Sequence, residues 1–140
     1  MLYAQQGLDY WRADGEDPYQ LPRYQQTEAL RGLLKIVLLT AINATGIEST
    51  VKAVRWHVNQ DWEEFDWVRE RGIDLKRLVE DFTSRHQPIR NHFFTGIGVQ
   101  LQNMDAKIAE EVINELSVKE IPVLTIHDSF IVTRQNEEHL

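Results

Sequence analysis

The amino-acid sequence predicts an α+β fold that is mainly helical up to about residue 95 and ends in a further helix and a β-hairpin. Apolar residues recur with a helical period over several segments that glycine, proline or aspartate separate. The segment 121–133, IPVLTIHDSFIVT, instead has two short apolar runs on either side of a polar pair, which is typical of a tight hairpin. We expect one partial domain over 1–140, with its two parts meeting near residue 96.

The first long helix is predicted within TEALRGLLKIVLLTAINA. Residues 1–25 before it contain helix breakers, and only MLYAQQGL fits a short helical piece. Thr27 is a suitable N-cap, and the helix should end before Gly46. Its apolar positions keep the helical period, which indicates a buried helix; these positions are 30, 33, 34, 37, 38, 41 and 42.

Three shorter helices are predicted to follow. The first covers about 48–59 and turns three valines inward. The second lies in DWEEFDWVRERG and stops at Gly72, and the third lies in DLKRLVEDFTSRHQP, with Asp74 as its cap and Pro88 beyond its end.

The segment IRNHFFTGIGVQLQ supports no single assignment, because two glycines interrupt it. Its end, VQLQ, fits either a short strand or the lead into a helix. From Met104, the spacing of Ile108, Val112 and Leu116 predicts an amphipathic helix to about residue 116.

Composition limits the classes of function. The chain has 140 residues and a formal net charge of −7, so a surface that binds phosphates has to be local. It contains no cysteine, which excludes disulfides and thiolate metal sites. The longest apolar run is too short to cross a bilayer, and the N-terminus does not resemble a signal peptide. We therefore expect a cytoplasmic protein with no membrane partner.

Two cations, Arg31 and Lys35, interrupt the first long helix. Four residues apart, they lie on one helix face, and the nearest acid on that helix is Glu28. They form either a phosphate clamp, since arginine offers a fork of donors and lysine a mobile charge, or two side chains that extend from a buried helix to solvent. Spacing alone favours the second interpretation.

A second candidate site is His127-Asp128, between the two strands of the predicted hairpin. An aspartate held at a rigid strand junction can bind a hard cation such as Mg²⁺. Alternatively, Asp128 only forms the turn and His127 packs beneath it. The dipeptide by itself favours the turn.

Other polar and aromatic residues carry weaker signals. Gln102 or Asn103 can cap the helix that contains Asp105, which is ordinary chemistry at a helix start. Four further histidines lack metal-ligand spacing and are expected at the surface or in the core; they are His57, His86, His92 and His139. Three tryptophans are predicted to be core residues, with a partner site as the alternative; they are Trp56, Trp62 and Trp67.

The order of these pieces resembles the fingers-to-palm module of DNA polymerase I (family A) and the single-subunit phage-type RNA polymerases. In that group, motif B is Arg-x-x-x-Lys on a fingers helix, and RGLLK is similar to it. Motif C is a palm hairpin with His-Asp-Glu or His-Asp-Ser, and IHDSF is similar to the second form. The stretches DPY, INA, GxGxxLQxxDxxIA and IPVLTIHDSFIV look like uncharacterised polymerase-related proteins of phages and mobile elements. The resemblance covers about 17–133.

The resemblance implies a nucleotidyltransferase with a fingers-like part at about 1–95 and a palm-like part at about 96–140. Arg31 and Lys35 would hold the incoming nucleoside triphosphate. Asp128 would be a catalytic ligand of Mg²⁺ in a two-metal site, and His127 would shape the turn or approach the primer end.

Further implications concern partners. A primer and template nucleic acid are implied, with Asn43 and Gln102 as candidate contacts to nucleotide or template. Leu39 and Asn43 stand where family A has a phenylalanine and a tyrosine, so base and sugar selection would differ.

The resemblance also implies a missing part. Motif A should supply a second metal-binding aspartate well before motif B, and the acids upstream of Arg31 lie too close to it; they are Asp9, Asp14 and Asp17. We therefore expect a partial enzyme that lacks an N-terminal palm segment and is inactive alone. The alternatives are a catalytically dead palm relic or a small helical interaction module. A metal-dependent phosphohydrolase ranks last, because the carboxylates that it needs are not clustered.

Overall fold

A computed structural model describes residues 2–5, 17–126 and 129–139. The chain divides into two compact units, Met1–Val99 and Gln100–Leu140. The described residues are mostly helical and include one two-stranded antiparallel sheet near the C-terminal end. The predicted α+β class is therefore confirmed.

The described part of the first unit contains several helices, and from residue 44 onward the connections between them are short. The helices are α1 (Leu2–Gln5), α2 (Glu28–Asn43), α3 (Ile47–Gln60), α4 (Trp62–Glu70), α5 (Leu75–Arg85) and a 3₁₀ helix (Gln87–His92). The predicted helices correspond to α2 through α5, because each combines an apolar period with a breaker or a cap at its ends.

Helix α2 begins where the sequence predicts. The hydroxyl of Thr27 accepts a hydrogen bond from the backbone N–H of Leu30 at 3.1 Å, which satisfies one of the unpaired donors of the first turn. One face of the helix is fully buried through Leu33, Leu34 and Val37. Burying each leucine stabilises the fold by roughly 1.5–3 kcal/mol. Helix α2 is therefore a central part of the core.

Helices α3 and α5 complete this core. Val54 from α3 and Leu78 and Phe82 from α5 have no exposed surface. The carboxylate of Asp74 accepts the backbone N–H groups of the first turn of α5, as the capping prediction requires. Gly72 lies just after the end of α4 and has a φ of 60°, a left-handed conformation that glycine adopts without strain.

Helix α6 (Gly98–Val118) starts earlier than predicted. The sequence suggests a start at Met104, because glycine usually interrupts a helix. In the structure, VQLQ belongs to the helix, and a Cβ at position 98 would collide with the side chain of Asn43. Gly98 therefore permits a close approach at the helix start, where a glycine costs less than in a helix interior.

Strands β1 (Val123–Ile126) and β2 (Ser129–Val132) form the predicted antiparallel hairpin. Val123 pairs with Val132 at the open end, and Ile126 pairs with Ser129 at the closed end. A second 3₁₀ helix follows at Arg134–His139.

Candidate functional site

Arg31 has an acidic partner that the sequence does not reveal. Its Nε donates a hydrogen bond to Oδ2 of Asp17 at 2.9 Å. The guanidinium also lies 5.1 Å from the ring centroid of Tyr19, within the range of a cation–π contact. Glu28 is the nearest acid on α2 itself, but the partner of Arg31 comes from a turn upstream of the helix.

The turn at Asp17-Pro18-Tyr19 presents this carboxylate. Oδ1 of Asp17 accepts the backbone N–H of Tyr19 at 3.0 Å, and the carbonyl of Asp17 accepts the N–H of Gln20 at 2.9 Å. These bonds make a compact Asx turn, in which the aspartate bonds its own backbone and leaves one oxygen for Arg31. The backbone N–H of Tyr19, and then Arg31, hold the pKa of Asp17 below its ordinary value.

Lys35 lies one turn beyond Arg31 and is exposed. Its charge also helps to lower the pKa of Asp17, so both cations act on the same carboxylate. Arg31 is half-buried, and its side chain reaches the surface from an otherwise apolar helix. This arrangement fits both interpretations of the pair, a phosphate clamp and two snorkelling side chains.

A buried histidine, His86, forms a hydrogen bond with the turn at Pro18. Nε2 of His86 lies 3.0 Å from the carbonyl oxygen of Pro18, and Nδ1 lies 2.6 Å from the hydroxyl of Tyr3. Since a carbonyl only accepts, Nε2 carries the proton, and Nδ1 accepts from Tyr3. Burial lowers the pKa of His86 to about 4, so the ring is neutral near pH 7.

His86 is a core histidine that positions the turn, a role that its spacing in the sequence does not indicate. Its ring packs 4.5 Å from that of Phe82, and Tyr19 stacks on Phe82 with centroids 6.4 Å apart. The turn is thus held by a hydrogen bond at Pro18 and by ring packing at Tyr19. Only the long-range fold brings these residues together, since His86 lies 68 positions after Pro18.

Asn43 and Gln102, the candidate nucleotide or template contacts, are both exposed. Nδ2 of Asn43 donates to the carbonyl of Leu39 at 2.8 Å, so this side chain is already engaged near the end of α2. Leu39 is exposed as well, which leaves both positions of the expected aromatics at the surface.

The candidate metal-binding residues His127 and Asp128 lie outside the described residues. The two residues that flank them, Ile126 and Ser129, are paired across the hairpin. Within residues 2–5, 17–126 and 129–139, no group of three or more histidine or acidic side chains could hold a metal ion.

The tryptophans divide into two kinds. Trp67 is half-buried, and the guanidinium of Arg71 lies 5.7 Å from its ring. Trp56 and Trp62 are exposed, so the prediction that they belong to the core is wrong. In α3, the apolar stripe of Val51 and Val54 faces the core, and Trp56 projects from another side of the helix.

Comparison of the chain with protein-family models, with curated proteins and with solved structures finds no match. No helix in the described part of the chain has the length and apolar character needed to cross a membrane.

Proposed function

We propose that this chain is a polymerase-like nucleotidyltransferase module in which α2 binds a nucleoside triphosphate and the hairpin binds Mg²⁺. The observation that supports it is the register of the hairpin. Ile126 pairs with Ser129, so His127 and Asp128 are the only two residues between the paired ends. A two-residue connection between paired strands limits how far an aspartate can move, and a metal ligand benefits from this restriction.

Asp128 would act as the metal ligand, and His127 would shape the connection. Mg²⁺, when bound, would stabilise the charge that develops on the leaving pyrophosphate. The paired residues Ile126 and Ser129 would limit the motion of the segment between them, and a ligand that must first be ordered binds more weakly.

Arg31 and Lys35 would bind the triphosphate. The ion pair to Asp17 uses only Nε of Arg31, and the Nη groups donate no hydrogen bond to another residue within the described chain. The Asp17 carboxylate thereby orients the guanidinium and leaves its terminal donors available for phosphate oxygens. Lys35, one turn away, would add a mobile positive charge.

Binding of a fluorescent nucleoside triphosphate, with Mg²⁺ present, tests this role. Arg31→Ala and Lys35→Ala should each weaken binding by about tenfold, the loss expected for one charge-assisted contact. Arg69→Ala removes an exposed cation from α4 and serves as the matched control, with unchanged affinity expected. Equal affinity in wild type and in the Arg31→Ala/Lys35→Ala double variant would rule out the clamp.

We expect no primer extension by the 140-residue chain alone, because it offers Asp128 as one of the two carboxylates that the mechanism needs. Incorporation of labelled nucleotide by the purified chain, abolished by Asp128→Ala, would contradict this expectation and would require a second carboxylate within the chain.

A non-catalytic interaction module is the second candidate. The observation that favours it is the Arg31–Asp17 contact at 2.9 Å, which partly neutralises the cation that the clamp depends on. Asp17→Asn separates the two candidates. If Arg31 serves a triphosphate, wild type binds nucleotide and this variant binds it with a changed affinity. If the ion pair is purely structural, neither protein binds nucleotide and the variant loses only stability.

A further inference from the structure

Two exposed tryptophans in the first unit differ in their charged surroundings. Trp56 in α3 is 58% exposed and Trp62 at the start of α4 is 62% exposed, so neither indole is explained by packing. An exposed indole presents a large apolar ring that a partner can cover, and tryptophan is enriched at interfaces. Since the exposures are similar, the charges nearby indicate which partner each residue could accept.

Trp56 lies among cations. Lys52, four residues earlier, is its neighbour on the same face of α3, and Arg55 precedes it directly. Both cations are exposed, and neither forms a salt bridge with another residue in the part of the chain that the structure describes. The one acid in α3, Glu48, is engaged by Nζ of Lys76 at 2.9 Å.

Trp62 lies among acids instead. Asp61 precedes it, Glu63 and Glu64 follow it, and all three side chains are exposed. An anionic ligand would be repelled at Trp62 and attracted at Trp56.

His57 helps to orient the Trp56 ring. The two ring centroids are 5.0 Å apart and the planes meet at 81°, an edge-to-face contact. This contact restricts the indole while leaving more than half of the side chain in solvent. A partly ordered aromatic ring loses less entropy when a flat ligand stacks on it.

We propose that Lys52, Arg55 and Trp56 form a binding surface for single-stranded nucleic acid. The indole stacks on an unpaired base, and the two cations contact the adjacent phosphates. The chain carries a net charge of −7, so this cationic surface is local and not part of a general attraction to polyanions. Stacking requires an unpaired base, because the faces of bases in a duplex are already covered.

The interpretation of this surface as a template contact rests on the proposed polymerase-like function. Its residues are nevertheless distinct from the triphosphate clamp at Arg31 and Lys35. The Arg31→Ala/Lys35→Ala variant should therefore keep its affinity for an oligonucleotide, and Trp56→Ala should keep its affinity for a nucleoside triphosphate. Failure of one proposal is thus distinguishable from failure of the other.

Fluorescence anisotropy of the 140-residue chain with a labelled oligothymidylate of 15 nucleotides tests the surface. Trp56→Ala should weaken binding by about tenfold, as expected for the loss of one stacked base. Trp62→Ala is the matched control, since it removes an equally exposed indole from acidic surroundings, and it should leave affinity unchanged. Both positions are exposed, so circular dichroism should show an unchanged helix content in both variants.

Salt dependence tests the two cations. Replacing Lys52 and Arg55 together by alanine should reduce the slope of log affinity against log salt by about 1.4, from about 0.7 for each phosphate contact on a single strand. A slope that does not change would remove the cations from the surface.

The proposal would be overturned if wild type did not bind the oligonucleotide, or if Trp56→Ala and Trp62→Ala lost affinity equally. It would also be overturned if a duplex of the same length bound as tightly as the single strand. Displacement of the oligonucleotide by an acidic polypeptide at equal charge concentration would also overturn it, because the surface would then favour a protein partner.

Discussion

The helical first unit and the hairpin of the second unit differ in how far their apolar side chains are exposed to solvent. In the helical unit, Leu33, Leu34 and Phe82 have no exposed surface. In the hairpin, Leu124 is 67% exposed and its cross-strand partner Ile131 is 48% exposed. We therefore expect most of the stability to come from the helical core, whereas the hairpin presents an apolar face to solvent.

The exposed apolar face of the hairpin results from the alternation of side chains along its two pleated strands. Leu124 and Ile131 are directly opposite each other, and Ile126 lies two residues along on the same side of β1. An isolated two-stranded hairpin is marginal in water, so these side chains contribute little to the free energy of unfolding.

Leu34→Ala should lower the free energy of unfolding by about 2–5 kcal/mol, because it opens a cavity in a fully buried part of α2. Leu124→Ala makes the same chemical change at an exposed position and should cost less than about 0.5 kcal/mol. Urea unfolding followed by far-ultraviolet circular dichroism measures both. Similar losses in the two variants would show that the helical core does not dominate stability.

His86 should make the helical unit sensitive to mild acid. Its pKa is about 4 in the folded protein and near 6.5 when unfolded, since burial disfavours the charged ring. Well above pH 6.5, the His86 ring is neutral in both the folded and the unfolded chain, and its ionisation does not reduce the free energy of unfolding. As the pH falls from 6.5 to about 4, only the unfolded chain gains the proton, and stability falls by roughly 2–3 kcal/mol.

Nuclear magnetic resonance of the His86 ring protons gives the pKa directly. We expect a titration midpoint near pH 4. A midpoint near the ordinary value of 6.5 would mean that the His86 ring is not buried in solution.

Removing the cap of α5 should have a smaller effect on the helical unit. Asp74→Ala leaves the backbone N–H groups of Lys76 and Arg77 without their acceptor, and should cost about 1 kcal/mol. Asp74→Asn keeps a capping oxygen and should recover most of this stability. Equal losses in both variants would assign the effect to charge instead of capping.

The smallest effect is expected on the exposed hairpin face. The double variant Leu124→Thr/Ile131→Thr places two β-branched residues opposite each other and should change the free energy of unfolding by less than about 0.5 kcal/mol. It should also bind less of an apolar dye such as ANS. A loss of 2 kcal/mol or more would show that this face is buried in solution.

The sequence predicts the local features of the fold well. The caps at Thr27 and Asp74 and the hairpin on either side of His127-Asp128 depend on residues near one another in the chain. The helix start at Gly98 is not predictable in this way, because the glycine lies against the side chain of Asn43, which is far away in sequence.

The candidate site shows the same limit. The spacing of Arg31 and Lys35 on α2 follows from the helical period, but the partner of Arg31 does not. Asp17 reaches it from a separate turn, and His86 holds that turn from another helix. The large apolar side chains of Trp56 and Trp62 suggest core positions, and only the orientation of their helices shows that they are exposed.

The proposed metal site depends on the Asp128 carboxylate. Electron paramagnetic resonance of Mn²⁺ added to the 140-residue chain measures metal binding directly, with Asp105→Asn as the control, since Asp105 is an exposed acid in α6. Asp128→Asn should weaken Mn²⁺ binding by at least about tenfold, whereas Asp105→Asn should leave it unchanged. Superimposable titration curves for wild type and Asp128→Asn would rule out the proposed site.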